Sequence, residues 1–379
     1  MNPAQQLHQA GQSLWLDSIN RKMLRDGTLS RYIRDLALTG LTSNPTILGH
    51  AMAASSDYDD SLRAHLAAGT REPEELVFSV AMEDITAAAD LFRPVWERTD
   101  GVDGYVSIEV PPGLAYDTDR SIEVARRLHQ QAGRPNVLVK IPGTPQGLLA
   151  MEQLVAEGIG INVTLLFSDA HYRQTAQAYI RALERRAEAG QALDVPSVAS
   201  LFVSRWDTAA DQLLPPGLHG RLGLAVSQQV YASYRALLSE QRWTTLAAAG
   251  ARPQRVLWAS TSTKDPNLPD TYYLGKLAAP DTINTMPEKT LLAYADHGGP
   301  VELMHPEDAA TDRHLAEVAS HGIDIDALGQ SLQRQGAHAF EADWATLVEA
   351  ISGKVDSLDP GDPHSVGPSG SGVMSSSER

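Results

Sequence analysis

The sequence predicts an α/β protein, a (β/α)8 TIM barrel with additional peripheral helices, and three observations carry that expectation. Short β-branched runs alternate with longer amphipathic segments. The candidate strands number about eight, the count of such a barrel. The signatures of the rival open sheet are missing: there is no GxGxxG after a first strand and no GxxxxGK[ST], since Lys354 is followed by Val355 and lacks the upstream glycines.

Taken in order, QSLWLD (12–17) and LALTGLTS (36–43) are the first, weaker strand candidates, and residues 71–97 read as helix throughout. Stronger runs follow in YVSIEV (105–110), NVLVKI (136–141), GINVTLLF (160–167), SVASLFV (197–203) and RVLWAS (255–260), with DTINTM (281–286) completing the set. Between them lie helical patterns at 119–133, 146–158 and 168–190, several closed by glycine as a helix stop. Ser168 opens the last of these as an N-cap. Residues 306–352 also read as helix throughout and, like 71–97, are expected to decorate the outside of the barrel. One barrel domain is therefore expected over residues 1–352. From Gly353 to Arg379 the chain is rich in Ser, Gly, Pro and Asp and is expected to be a disordered tail.

Composition narrows the function classes. A chain of 379 residues with 42% hydrophobic content can bury a large core. The formal charge is −16 and no basic stripe stands out, so nucleic acid is not an expected partner. There is no cysteine, which excludes disulfides, thiolate nucleophiles and Cys-ligated zinc together. No apolar run approaches the roughly 18 residues of a membrane span, and MNPAQQLHQAGQSLW has neither a basic leader nor an apolar signal core, so a cytoplasmic protein without membrane partners is expected. The twelve histidines form no HExxH spacing, and neither a metal nor a cofactor is expected. Asn162-Val163-Thr164 fits a glycosylation sequon but lies within a strand expected to be buried.

Strand parity points to the chemistry. Side chains two apart share a face, so Val137, Val139 and Ile141 are expected against the outer helices while Leu138 and Lys140 point inward. By the same rule Asn162 and Thr164 point inward with Val163 and Leu165 outward, and Ser107 shares a face with Glu109. Asp17 and Ser200 sit late in their own strands. A single polar residue at a strand end is as well explained by a helix cap or a salt bridge as by catalysis. A lysine, two carboxylates and Asn and Thr residues from different strands are not, because buried charges cost several kcal/mol each unless paired, and barrel enzymes place their catalytic groups at C-terminal strand ends.

A free lysine is neutral in about one molecule in 2,500 at pH 7, so a nucleophilic lysine needs desolvation or a cationic neighbour. Val139 and Ile141 provide an apolar setting for Lys140. A neutral amine can attack a ketone, and the iminium that forms draws electrons from the adjacent carbon–carbon bond. Such class I aldol chemistry needs one group to carry protons during imine formation and another to deprotonate the hydroxyl beside the breaking bond. Glu109 and Asp17 are the candidates.

These residues sit in runs that resemble the transaldolase signatures, in the same order: WLDSINR (15–21), LTSNPTI (41–47), VSIEV (106–110), LVKIPGT (138–144), INVTLLFS (161–168) and SLFVSR (200–205). The resemblance extends from about residue 12 to about residue 350, and WASTSTKDPNLPDTYY (258–273) with INTMPEKT (283–290) is similar to the longer bacterial branch. It implies transfer of a dihydroxyacetone unit between sugar phosphates, with the lysine on the fourth strand. Carried over by position, it implies Lys140 as the Schiff-base lysine and Asp17 as the base for the donor's C4 hydroxyl. Glu109 would work through a water held with Thr164. Asn44 and Asn162 would bind the donor's hydroxyls, and Ser200 and Arg205 the phosphate-bearing end. Ser260 also matches. The family includes monomers and dimers, so a homodimer is compatible with the resemblance.

One position departs from the pattern. Where many members have Ala-Ser-Phe-Arg, with a phosphate-binding arginine, this chain has Ala259-Ser260-Thr261-Ser262, and Lys264 is the candidate replacement. Two other readings compete. A fructose-6-phosphate aldolase of the same superfamily would release free dihydroxyacetone, but has glutamine where Glu109 stands; a retired, sugar-phosphate-binding barrel is argued against by the presence of Lys140 and Asp17.

Overall fold

The computed structural model describes residues 1–306 and 308–358. Its strands are β1 (Ser13–Leu16), β2 (Leu38–Thr42), β3 (Val106–Glu109), β4 (Val137–Pro142), β5 (Ile161–Leu166), β6 (Ser197–Phe202), β7 (Arg255–Ala259) and β8 (Ile283–Met286). They close in sequence order, every pair parallel, with β8 returning to β1. Each expected strand is present, and helices cover the outside.

Local sequence explains the helix boundaries. Ser168 caps the helix Asp169–Glu188, its hydroxyl accepting from His171 N–H at 3.2 Å. The helix Thr118–Ala132 starts under the Asp117 side chain and stops at Gly133, whose φ of 53° is left-handed backbone that glycine adopts at little cost.

The core follows the strand parity. Val137, Val139 and Ile141 pack outward into the layer beneath the helices, while Leu138, Val198, Leu257 and Ile283 fill the barrel interior with Trp15. The interior is tight at its base: a Cβ on Gly40 would lie 2.5 Å from the Trp15 indole.

Parity fails where the register slips, between β1 and β2 at Leu14 and Trp15 and, nearer the mouth, in β5. The pairing of β5 with β6 shifts register between Val163 and Leu166, and Leu165 has φ 58°. This bulge turns Leu165 out of the outward row, which Leu166 takes over instead. Leu165 reaches up against the terminal helix, where its Cδ2 lies 3.0 Å from where a Cβ on Gly336 would stand.

The segment 306–352 also differs from expectation. It holds two helices, Ala309–Ser320 and Ile325–Leu358, separated at Gly322, whose φ is 85°. The terminal helix is not an outer decoration. It packs on β5 and on the short helix Ser204–Ala210 at one side and on the helices Pro45–Ala54 and Pro73–Arg98 at the other, and so spans the C-terminal mouth of the barrel. It also runs beyond Gly353, where the tail was expected to begin. Lys354 donates to the carbonyls of Met52 (2.8 Å) and Ser55 (2.6 Å) and pairs with Asp59 (2.8 Å). Together with buried Leu347 and Ile351, that docking offsets the roughly 1 kcal/mol that a helical glycine costs. The rest of the expected tail, 359–379, lies outside the described residues. No described helix is long and apolar enough to cross a membrane.

Candidate active site

Strand register brings the candidate groups together. Glu109 on β3 stands opposite Lys140 on β4, Lys140 opposite Asn162 on β5, and Pro142 opposite Thr164. Asp17 follows β1 directly, its N–H donating to the Met286 carbonyl of β8 at 2.8 Å. A cavity of about 210 Å³ opens at this end of the barrel, and Asp17, Lys140 and Thr164 line it together with Asn44 and Ser200. Arg205, Ser260 and Lys264 line the same cavity. Glu109 and Asn162 lie just behind its wall, both fully buried. Two larger hollows, of about 680 and 740 Å³, lie at the opposite end of the barrel, share Asp100, Tyr105 and Arg252, and contain no lysine.

At the reactive end, Lys140 Nζ is 2.8 Å from Glu109 Oε2 and donates to the Ser43 carbonyl at 3.3 Å. The contact with Glu109 is a charge contact rather than an aligned hydrogen bond, and neither Glu109 oxygen has another partner among the described residues. Burial pushes the Glu109 carboxyl above the usual carboxylate range; Lys140 opposes that shift and the Asp17 charge adds to it. Asp17 is raised by the same burial, with Lys140 and a hydrogen bond from Thr42 opposing. Two carboxyls close together in a largely buried pocket cannot both be charged cheaply, so one carboxyl tends to keep its proton while the other is free to act as a base.

The polar wall is ordered. Ser200 Oγ donates to Asn162 Oδ1 at 2.7 Å, and Asn162 Nδ2 donates to Ser107 Oγ at 3.0 Å. Thr164 Oγ1 is buried without a hydrogen-bond partner among the described residues. Asn44 has two jobs available. Its Oδ1 accepts from Ile47 N–H at 2.8 Å, capping the helix Pro45–Ala54, which leaves the amide nitrogen for the cavity.

At the far end, Arg205 lies against the rings of Phe202 and Phe340, and burial lowers its pKa below the ordinary arginine value. It remains a cation. Ser260, at φ 56°, shares a 2.9 Å hydroxyl contact with Ser204. Lys264 reaches the cavity beside Ser262, donating to its hydroxyl at 3.0 Å.

Sequence reasoning missed four contributors. Thr42 donates to Asp17 Oδ1 at 2.8 Å and meets Thr285 Oγ1 at 2.7 Å. Since Thr42 has one proton, giving it to Asp17 makes Thr285 the donor to Thr42. Both threonines were available from strand parity, Thr42 two residues from inward Gly40 and Thr285 two from inward Ile283. Phe202, two residues beyond Ser200, was equally legible. Phe340 had no local signal, because only the path of the terminal helix brings it to the mouth. Among the described residues, no group of three or more His, Cys, Asp or Glu could hold a metal ion.

The Transaldolase/Fructose-6-phosphate aldolase family model matches residues 14–351. A protein named Transaldolase from Thermobifida fusca is 45% identical over 362 residues, spanning 93% of this chain and 98% of that protein. One of the same name from Thiobacillus denitrificans is 43% identical over 359 residues, spanning 93% and 100% respectively. Transaldolase 2 of a Nostoc species is 38% identical over 382 residues, spanning 95% and 99%. With this likeness running the length of the barrel and through every strand that bears a candidate side chain, the chain belongs to the transaldolase/fructose-6-phosphate aldolase family.

Proposed function

We propose that this protein is a transaldolase, transferring a dihydroxyacetone unit from fructose 6-phosphate or sedoheptulose 7-phosphate to erythrose 4-phosphate or glyceraldehyde 3-phosphate. The observation that carries the reading is the buried Lys140–Glu109 contact at 2.8 Å, at the wall of a cavity that Asp17 and Arg205 also line.

In this reading the Lys140 amine attacks the C2 ketone of the donor. Glu109, held toward its protonated form, supplies the proton with which the C2 oxygen leaves as water. A water bridging Glu109 to the unpartnered Thr164 hydroxyl would carry that proton. Asp17 then removes the proton from the C4 hydroxyl, the C3–C4 bond breaks, and its electron pair moves into the iminium as the aldose phosphate departs. The three-carbon unit stays on Lys140 as an enamine. Asn44 and Asn162 hydrogen-bond its hydroxyls until an acceptor aldehyde arrives, and reversal of the steps with water addition frees the amine. The phosphate is held by Arg205, whose planar fork matches its oxygens, with Ser260 and, once its proton turns away from Asn162 Oδ1, Ser200 as hydroxyl donors and Lys264 in place of the arginine missing at Ser262.

The test is product analysis. With fructose 6-phosphate and erythrose 4-phosphate together, sedoheptulose 7-phosphate and glyceraldehyde 3-phosphate should form in equal amounts, and neither should accumulate past one turnover without the acceptor. Sustained release of free dihydroxyacetone from fructose 6-phosphate alone would instead make the protein an aldolase of the same family.

A further inference from the structure

Phe340 belongs to the helix Ile325–Leu358 yet lines the same cavity as Lys140. Arg205 Cζ stands 5.3 Å from the Phe202 ring centre and 5.7 Å from that of Phe340, and the two rings are 6.4 Å apart. The cation is thus met by π faces, and among the described residues Asp343, whose charge favours it, is on the same terminal helix. One turn before Phe340 is Gly336, where a Cβ would lie 3.2 Å from Arg205 Nη1 and 3.0 Å from Leu165 Cδ2. A side chain there would have to push the guanidinium or the bulge aside.

The helix is seated on the strand ends that carry the chemistry. Gln333 Nε2 donates to the Gly143 carbonyl (3.0 Å), just past β4, and to the Leu165 carbonyl (2.9 Å), in the β5 bulge. Its C-terminal part is held by Lys354. Gln333, Gly336, Phe340, Leu347 and Ile351 recur at helical spacing, so one face makes all these contacts.

We propose that the terminal helix is a specificity element of the active site. Phe340 and Phe202 confine the Arg205 guanidinium, Gly336 leaves the space it needs, and the in-plane N–H groups remain as its polar outlet toward the phosphate of the donor. A guanidinium ordered before binding loses less freedom when it takes a phosphate, so the helix sets how strongly a phosphorylated ketose is preferred over an unphosphorylated one. This rests on the reading of Arg205 as the phosphate group's partner. Phe340 is a positioning residue in this scheme.

The test compares kcat/KM for fructose 6-phosphate with that for fructose, erythrose 4-phosphate being the acceptor in both, using the full chain. Arg205→Met should collapse the preference by about 100-fold, as loss of a charge-assisted phosphate contact does. Phe340→Leu should lower it by about tenfold, the worth of a partly desolvated cation–π contact, mainly through KM for the phosphorylated donor, and Phe340→Tyr should restore it. Phe340→Met, close in volume but without a π face, serves if the leucine variant does not fold. If Arg205→Met narrows the preference while Phe340→Leu and Phe340→Met lower both donors alike, the helix is only a structural cover and the proposal is overturned. If Arg205→Met leaves the preference intact, the assignment of the phosphate end fails and the proposal falls with it.

Discussion

Both ends of the barrel bury carboxylates, and they treat them oppositely. At the N-terminal end, Asp103 accepts from Ser13 Oγ and from Trp15 Nε1 (2.7 Å), with its own loop's Gly104 N–H at 3.1 Å and Arg255 Nη1 at 3.8 Å. At the C-terminal end, among the described residues, Glu109 has one charge contact and no aligned hydrogen bond, and the Asp17 side chain has the single donor Thr42. Asp103 at the base is well supplied with donors and ties β1 to the loop before β3 and to β7. The two at the mouth are left short of donors, which keeps them reactive at a cost in stability. Buried charge by itself therefore does not mark function; what separates these carboxylates is how far their charge is answered by donors.

The sharpest way to break this contrast is to neutralise one carboxylate at each end. Asp17→Asn should lower kcat by roughly 10²–10³-fold, as loss of a general base does, without lowering Tm. The sign follows from burial. The folded protein holds the Asp17 proton to higher pH than the unfolded chain does, so stability falls as pH rises from the ordinary carboxylate range through the raised value. At neutral pH the charge costs stability, and removing it should leave Tm unchanged or higher. Asp103→Ala should do the reverse, costing about 3 kcal/mol in urea unfolding because Arg255 loses its buried partner, while the folded enzyme keeps its kcat. Equal effects on Tm at the two ends would erase the distinction.

A smaller effect sharpens it. Thr42→Val removes the hydrogen bond that favours ionised Asp17, so its pKa should rise further and the acid limb of kcat should move to higher pH by about one unit. Thr42→Ser should return it. A Thr42→Val enzyme that is slower at every pH by the same factor would mean that the hydroxyl only packs.

Most of the barrel was legible because its signal is local. Each strand carries its own alternation, and Lys140, Glu109 and Asn162 come together through register alone. The misreadings came where structure depends on distant segments. The Leu165 bulge is bonded to Gln333 on a helix 168 residues later, and Phe340 reaches Arg205 because that helix crosses the mouth. The composition from Gly353 onward suggested a tail, but Lys354 finds acceptors at Met52 and Ser55 that no window around it could reveal. Thr42 and Thr285 are a different case. They were readable from parity, but threonines are so ordinary in strands that their alternation carries little weight without a carboxylate seen beside them.

The central claim is that Lys140 is the nucleophile, and borohydride trapping tests it most directly. The folded protein would be incubated with fructose 6-phosphate, reduced, digested and mapped by peptide mass spectrometry. The account predicts a single reduced dihydroxyacetone adduct, located on Lys140 and absent from a Lys140→Met variant. No adduct on folded protein, or an adduct on a different lysine, would contradict it.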